Sequence, residues 1–172
     1  MKYLLAFDIG LKNLSYCLCE KYSKKIMDWR VIDLSKKRRC KYTGKFDMIS
    51  CCMNINEELT QIVERFMYDD YVEILIENQI PTGSNGIVMK SIQGLITQFF
   101  IDNECNDITY ISGSQKLKHH ICEKKTYYQR KKSCVIICNQ FLEERGEIEW
   151  IEYFNNEPKK DDLADCYLMI FV

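Results

Sequence analysis

The sequence has 172 residues, of which 47% are hydrophobic and 28% are charged, and its formal net charge is −1. This composition is typical of a single globular domain spanning residues 1–172 and excludes disordered or low-complexity chains. No apolar run approaches the roughly 18 residues that span a bilayer, and no secretory or transit signal precedes the first strand, so we expect an intracellular protein in a reducing compartment with no membrane partner.

Hydrophobic periodicity and turn residues predict five strands and four helices, in the order β-β-β-α-β-α-β-α-α. The predicted strands cover residues 2–9, 14–20, 25–34, 71–77 and 107–111. The predicted helices cover residues 46–68, 87–103, 127–144 and 159–171. Three antiparallel strands followed by alternating helices and strands predict an α/β fold with a five-stranded mixed sheet and helices on both faces. This is the order of the ribonuclease H fold, in which the first and fourth strands are neighbours at the centre of the sheet.

Four acidic residues stand at informative places in this pattern. Asp8 ends the first strand, Glu77 ends the fourth, and Asp162 and Asp165 lie one helical turn apart near the C-terminus. Four converging carboxylates repel one another unless a cation balances them, and carboxylate oxygens are the ligands that Mg²⁺ prefers. The set predicts a two-Mg²⁺ centre for phosphodiester hydrolysis. Taken singly, each acid could instead be a strand-end or helix-dipole residue, which is our interpretation of Asp161.

The charge is unevenly distributed along the chain. Residues 21–45 carry ten basic residues against two acids, residues 116–132 carry seven against one, and residues 143–157 carry six glutamates and one arginine. Solvated faces would explain either basic block alone, whereas both together with an acidic cluster favour a nucleic-acid-binding surface. The candidate contacts to the DNA backbone are Lys36, Lys37, Arg38, Arg39, Lys41, Lys116, Lys118, Arg130 and Lys131.

The ten cysteines include no Cys-x-x-Cys motif and lie mostly in apolar segments, which favours free thiols packed as small hydrophobic side chains. His119, His120 and Cys122 could form half of a zinc site. The sequence offers no second cluster to complete it.

Three segments resemble the RuvC-type Holliday junction resolvases, most closely the poxvirus branch: FDIG at residues 7–10, IENQ at 76–79 and KKDDLAD at 159–165. Fungal mitochondrial resolvases have a similar closing motif. The resemblance implies a homodimeric endonuclease that uses Mg²⁺, with Mn²⁺ able to substitute, and that makes paired symmetric nicks in four-way DNA junctions. It also implies viral replication sites in the host cytoplasm.

Carried over residue by residue, the resemblance makes Asp8, Glu77, Asp162 and Asp165 the metal ligands. It also implies a catalytic lysine ahead of the last motif. Lys132 is our choice for that role, with Lys116 and Lys118 as competitors. The helix over residues 87–103 has enough apolar surface for both core and dimer partner.

Other functions remain open at this stage. A ribonuclease H-like nuclease acting on another branched or hybrid nucleic acid would need the same fold and acids. A junction-binding scaffold would need the basic blocks alone. The DIG sequence at residues 8–10 also resembles the phosphate loop of the actin and sugar kinase superfamily, but those proteins duplicate the domain, and 172 residues leave no room for that.

Overall fold

A computed structural model describes residues 2–36, 47–66, 71–113, 115 and 126–172. Its five strands are β1 (Lys2–Asp8), β2 (Leu14–Glu20), β3 (Ile26–Ile32), β4 (Tyr71–Glu77) and β5 (Ile108–Ile111). They form one sheet in the order β3-β2-β1-β4-β5. β1 pairs antiparallel with β2 and parallel with β4, while β3 and β5 form the edges. The predicted mixed sheet, with the first and fourth strands adjacent, is confirmed.

The described residues form five helices and a closing 3₁₀ turn. The helices are α1 (Met48–Phe66), α2 (Gly83–Asp102), α3 (Tyr127–Glu144), α4 (Ile148–Asn156) and α5 (Lys160–Leu168), and the turn is Met169–Phe171. α4 was not predicted, because its glutamates were interpreted only as a charge run. The prediction for α2 was also four residues short: the turn-forming residues 83–86 make its first helical turn.

The side chains of β1 alternate between two separate hydrophobic cores, one on each face of the sheet. Leu5 and Phe7 pack into the core beneath α1 and α2, whereas Leu4 and Ala6 pack into the core beneath α3 and α5. The sheet therefore has helices on both faces, as predicted. By the same alternation, Asp8 lies on the face covered by α3 and α5.

Two long-range hydrogen bonds fasten α5 to the sheet. The hydroxyl of Ser15 on β2 donates to the backbone oxygen of Asp162 at 2.6 Å, and Trp29 Nε1 on β3 donates to the backbone oxygen of Leu163 at 3.1 Å. The Trp29 ring also stacks on Phe154 of α4, with 5.4 Å between centroids. These contacts fix the start of α5, whose first turn contains Asp162 and whose second turn contains Asp165.

None of the helices in the described ranges is long and apolar enough to cross a membrane. The eight cysteines among the described residues are free thiols.

Candidate active site

Two of the predicted acids leave the sheet side by side. Phe7 of β1 is in register with Ile76 of β4. The next residues, Asp8 and Glu77, are therefore the last residues of two neighbouring parallel strands, at the same edge of the sheet. Asp8 is 6% exposed. Burying a carboxylate costs free energy unless a cation or a hydrogen-bond donor compensates its charge.

α5 supplies the other two acids to the same place. Asp162 and Asp165 line one cleft with Asp8 and Glu77, and its volume is about 750 Å³. The structure thus brings together all four acids that the sequence singled out, across a chain separation of more than 150 residues.

Lys131 of α3 reaches into this acidic cluster. Its Nζ lies 2.6 Å from Asp165 Oδ2 and 3.2 Å from Asp162 Oδ1, and 3.5 Å from Asp161 Oδ2. Lys132, the lysine predicted for the catalytic role, is instead exposed and is not among the described residues that line the cleft, because consecutive helical residues point about 100° apart. Lys131 itself had been predicted only as a phosphate contact.

A capping box sets the start of α3 and therefore the phase that turns Lys131 inward. The hydroxyl of Thr126 accepts from the backbone N–H of Gln129, and the side chain of Gln129 accepts from the backbone N–H of Thr126. Lys131 also precedes the buried Cys134 and Cys138 by three and seven residues, on the same helix face. That spacing is the sequence signal by which Lys131 could have been found.

Mutual influence among these groups appears in their pKa values. Burial raises the pKa of Asp162; Lys131 opposes this effect, while Asp161 and Asp8 add to it. Burial lowers the pKa of Lys131, but Asp165 and the neighbouring acids raise it by more, so that it lies above the ordinary lysine value. Lys131 is therefore a permanent cation at neutral pH.

The described residues of the cleft carry a net negative charge. They include four carboxylates and two cations, Arg130 and Lys131, which leaves a formal charge of −2 for this part of the lining if all six are ionised. A DNA phosphate entering such a cleft would be repelled unless further positive charge were present.

The predicted metal site is not preformed. Within the described ranges, no group of three or more acidic, histidine or cysteine side chains is arranged to hold a metal ion. The four carboxylates suit Mg²⁺ in kind, since they are hard oxygen ligands, but part of the cluster is arranged around an ammonium group instead. Any metal ion bound here would compete with Lys131 for Asp162 and Asp165.

Glu77 has neighbours that the sequence analysis missed. Gln79 Nε2 donates to Glu77 Oε2 at 3.0 Å. A Cβ added to Gly113 would lie 2.9 Å from Glu77 Oε1, so the carboxylate packs against the backbone after β5. The contact with Gly113 has no sequence signal, because it joins two segments whose proximity depends on the pairing of β4 with β5.

The predicted DNA-binding residues are only partly within the described ranges. Arg130 is exposed and lines the cleft, whereas Lys36 is exposed but does not belong to its lining. The remaining predicted contacts and the possible zinc ligands lie outside the described residues: Lys37, Arg38, Arg39, Lys41, Lys116, Lys118, His119, His120 and Cys122.

Comparison with known proteins matches the chain to one family model, and the solved structures with a similar fold include two junction resolvases. The family model described as "Poxvirus A22 protein" matches residues 2–171. The crystal structure of the yeast mitochondrial Holliday junction resolvase is similar at 20% identity and a TM-score of 0.67, over 97% of this chain and 75% of that one. The fowlpox virus Holliday junction resolvase is similar at 18% identity and a TM-score of 0.62, over 96% of this chain and 92% of that one. No curated protein sequence matches. At these identities the two structures show a shared fold, which confirms the predicted ribonuclease H-like architecture.

Proposed function

The chain belongs to the Poxvirus A22 protein family, and on that premise we propose that it is a Holliday junction resolvase, an endonuclease acting on four-way DNA junctions. The observation that carries the proposal is the convergence of four carboxylates and Lys131 in one cleft at the edge of the sheet. Support also comes from the two solved proteins of the same fold, each of which is a Holliday junction resolvase by name.

We further propose that the centre works with divalent metal. Asp8, Glu77, Asp162 and Asp165 would hold two Mg²⁺ ions, with Mn²⁺ able to substitute, after side-chain adjustment. Bound metal would supply charge neutralisation and an activated water for in-line phosphodiester hydrolysis. The formal charge of −2 on the described lining residues supports this requirement, because two divalent ions would convert a repulsive surface into an attractive one.

The chain's own residues would then handle the DNA strand. The exposed guanidinium of Arg130 at the cleft rim is suited to bidentate contact with a phosphate that approaches the acids. The ammonium of Lys131 remains charged and is held at the acids by Asp165. Once released from these partners, it can compensate negative charge that develops on the reacting phosphate.

Paired symmetric nicks require two centres on one junction, so we propose that the active form is a homodimer. α2 leaves Ile87 and Ile101 exposed, at 59% and 45%, which is compatible with a partner on that helix. We also propose that the protein acts at viral replication sites in the host cytoplasm, as expected for this family. Light scattering of the purified protein would test the dimer, and linearisation rather than single nicking of a cruciform plasmid would test paired cleavage.

The deciding experiment is incubation with a labelled synthetic four-way junction, with Mg²⁺ or with EDTA. Asp8→Asn and Asp165→Asn should abolish cleavage while leaving junction binding in EDTA largely intact. Asp161→Asn is the matched control: its carboxylate is 40% exposed and does not line the cleft, so most activity should remain.

An RNA–DNA hybrid in the same assay separates the proposal from the alternative of a ribonuclease H-like nuclease for another substrate. Cleavage of the hybrid in preference to the junction would favour that alternative. Full junction cleavage by Asp8→Asn, or full cleavage in EDTA, would refute the proposed centre.

A further inference from the structure

Gln93 is a buried amide in the middle of α2. Its side chain is 1% exposed, and its helix face also buries Ile92 and Ile96. A buried amide is costly unless its polar atoms are hydrogen-bonded. The partners of Gln93 therefore indicate why an amide occupies this position.

The partners of Gln93 lie on the segment that follows β4. Its Oε1 accepts from the backbone N–H of Gln79 at 2.9 Å and from Lys90 Nζ at 3.2 Å. Lys90 also donates to Asn78 Oδ1 at 3.1 Å. Since the backbone N–H of Asn78 still bonds to Ile111 on β5, Gln79 has the first amide beyond the sheet pairing. Gln93 thus holds the chain where β4 has ended.

From that position Gln79 turns back to the acid cluster. Its Nε2 donates to Glu77 Oε2 at 3.0 Å, while the other carboxylate oxygen packs against Gly113. Contacts therefore reach both oxygens of Glu77, and one of them depends on where Gln93 holds the backbone of Gln79. A long, flexible carboxylate held in this way keeps a defined direction toward the cleft.

We propose that Gln93 is a positioning residue for Glu77, acting through Gln79. It sets the direction of the Glu77 carboxylate without lining the cleft itself. This inference rests on the proposed function, which makes Glu77 a working carboxylate of the centre. If Gln93 had a merely structural role, it would accept the hydrogen bond from the backbone N–H of Gln79 but would not affect the orientation or the metal binding of Glu77.

The first test is independent of metal and of cleavage. Side-chain amide signals of Gln79 are recorded by NMR in the wild-type protein and in Gln93→Leu, which removes the acceptor. We expect hydrogen exchange of the Gln79 side-chain amide to become roughly tenfold faster in Gln93→Leu. Gln98→Leu is the control, because Gln98 is exposed and donates to Asp102 of the same helix, away from Gln79. An unchanged Gln79 signal in a folded Gln93→Leu protein overturns the proposal.

Gln93→Glu covers the case in which the leucine variant fails to fold. It keeps an acceptor oxygen for the Gln79 amide and should leave the Gln79 side-chain signals near their wild-type values. Loss of Gln79 protection in Gln93→Glu, with unchanged unfolding behaviour, would likewise contradict the proposal.

The second test measures Mn²⁺ binding without DNA, by electron paramagnetic resonance. Gln93→Leu should weaken binding about tenfold, the lower end for residues that orient metal ligands. In a Glu77→Ala background the same change should add less than about twofold, because the group it acts on is gone. An equal loss in both backgrounds overturns the proposal. If the wild-type protein binds no Mn²⁺, the proposed function fails, while the amide measurement still decides the role of Gln93.

Discussion

Replacing Lys131 with methionine removes one ammonium group from the acidic cluster and keeps most of the side-chain volume. In the wild-type protein this group lies 2.6 Å from Asp165 and 3.2 Å from Asp162. The side chains are largely buried, with exposures of 19% for Lys131, 10% for Asp165 and 15% for Asp162. The variant therefore leaves two poorly solvated carboxylates without their nearest cation.

The size of the effect follows from this burial. Removing one partner of a buried ion pair costs about 3–5 kcal/mol, because the remaining charge is uncompensated. Asp161, at 40% exposure, adds at most about 1 kcal/mol, as surface pairs do. Since the buried groups keep some contact with water, we expect Lys131→Met to lower the free energy of unfolding by about 3 kcal/mol at pH 7 without divalent metal.

The deficit should depend on pH in a defined direction. The pKa of Lys131 is raised, so its stabilisation is fully present below the ordinary lysine value of 10.5 and is lost only as the pH rises through the raised one. The pKa of Asp162 is raised above 3.8 although Lys131 opposes the rise. In Lys131→Met it rises further, so the folded variant takes up a proton before the unfolded chain does. The deficit should therefore shrink as the pH falls from 7 toward the ordinary aspartate range.

Urea unfolding in EDTA at pH 7 and pH 5 measures both the loss of unfolding free energy in Lys131→Met and its change with pH. Lys132→Met is the matched control: the same change one residue along, at an exposed position, should shift the free energy of unfolding by less than about 0.5 kcal/mol. Mg²⁺ should stabilise Lys131→Met more than the wild type, because the metal no longer competes with an ammonium group. Equal effects of the two substitutions, or a deficit that does not change with pH, would refute the assigned helix phase and the charge argument.

Two smaller changes probe how the acids are held. Gly113→Ala should slow junction cleavage about tenfold or more, because its methyl group would lie 2.9 Å from Glu77 Oε1. The free energy of unfolding should change by less than about 0.5 kcal/mol. An unchanged cleavage rate would contradict the packing of Glu77 against Gly113. Ser15→Ala should lower the free energy of unfolding by about 1 kcal/mol, because it removes the 2.6 Å hydrogen bond to the backbone oxygen of Asp162. Ser91→Ala is the control: it removes a hydrogen bond within α2 and should be nearly neutral in the same urea titration.

The positions of Asp8 and Glu77 could be predicted from the sequence because they follow from strand geometry. Each acid ends an apolar run that can be covered on both faces, and parallel neighbouring strands end at the same edge. The alternation of side chains then puts both acids on one face. A register shift of one residue would have sent one of them to the opposite face, so the prediction depended on pairing that the structure alone fixes.

The choice between Lys131 and Lys132 depended on helix phase, which the sequence analysis did not use. Residues 130–132 are all basic, and the buried Cys134, Cys138 and Leu142 indicate which of them faces the sheet. Cysteines and a long amphipathic lysine make a weak hydrophobic pattern, so the inward face of α3 was hard to recognise. A weak hydrophobic pattern also hid α4, in which Glu152 and Tyr153 separate the apolar pair Trp150 and Ile151 from Phe154.

The arrangement of the acidic cluster explains how the fold can hold several carboxylates together before any metal binds. Sheet pairing fixes Asp8 and Glu77, and the hydrogen bond from Ser15 fixes the turn of α5 that begins with Asp162. Lys131 then supplies an internal cation at the point of greatest repulsion. Because that cation neutralises only part of the charge of the described lining residues, a net negative charge remains there. We therefore expect the fold to form without metal, in contrast to small zinc domains, and we expect any metal ion bound at the cluster to displace Lys131 from Asp162 and Asp165.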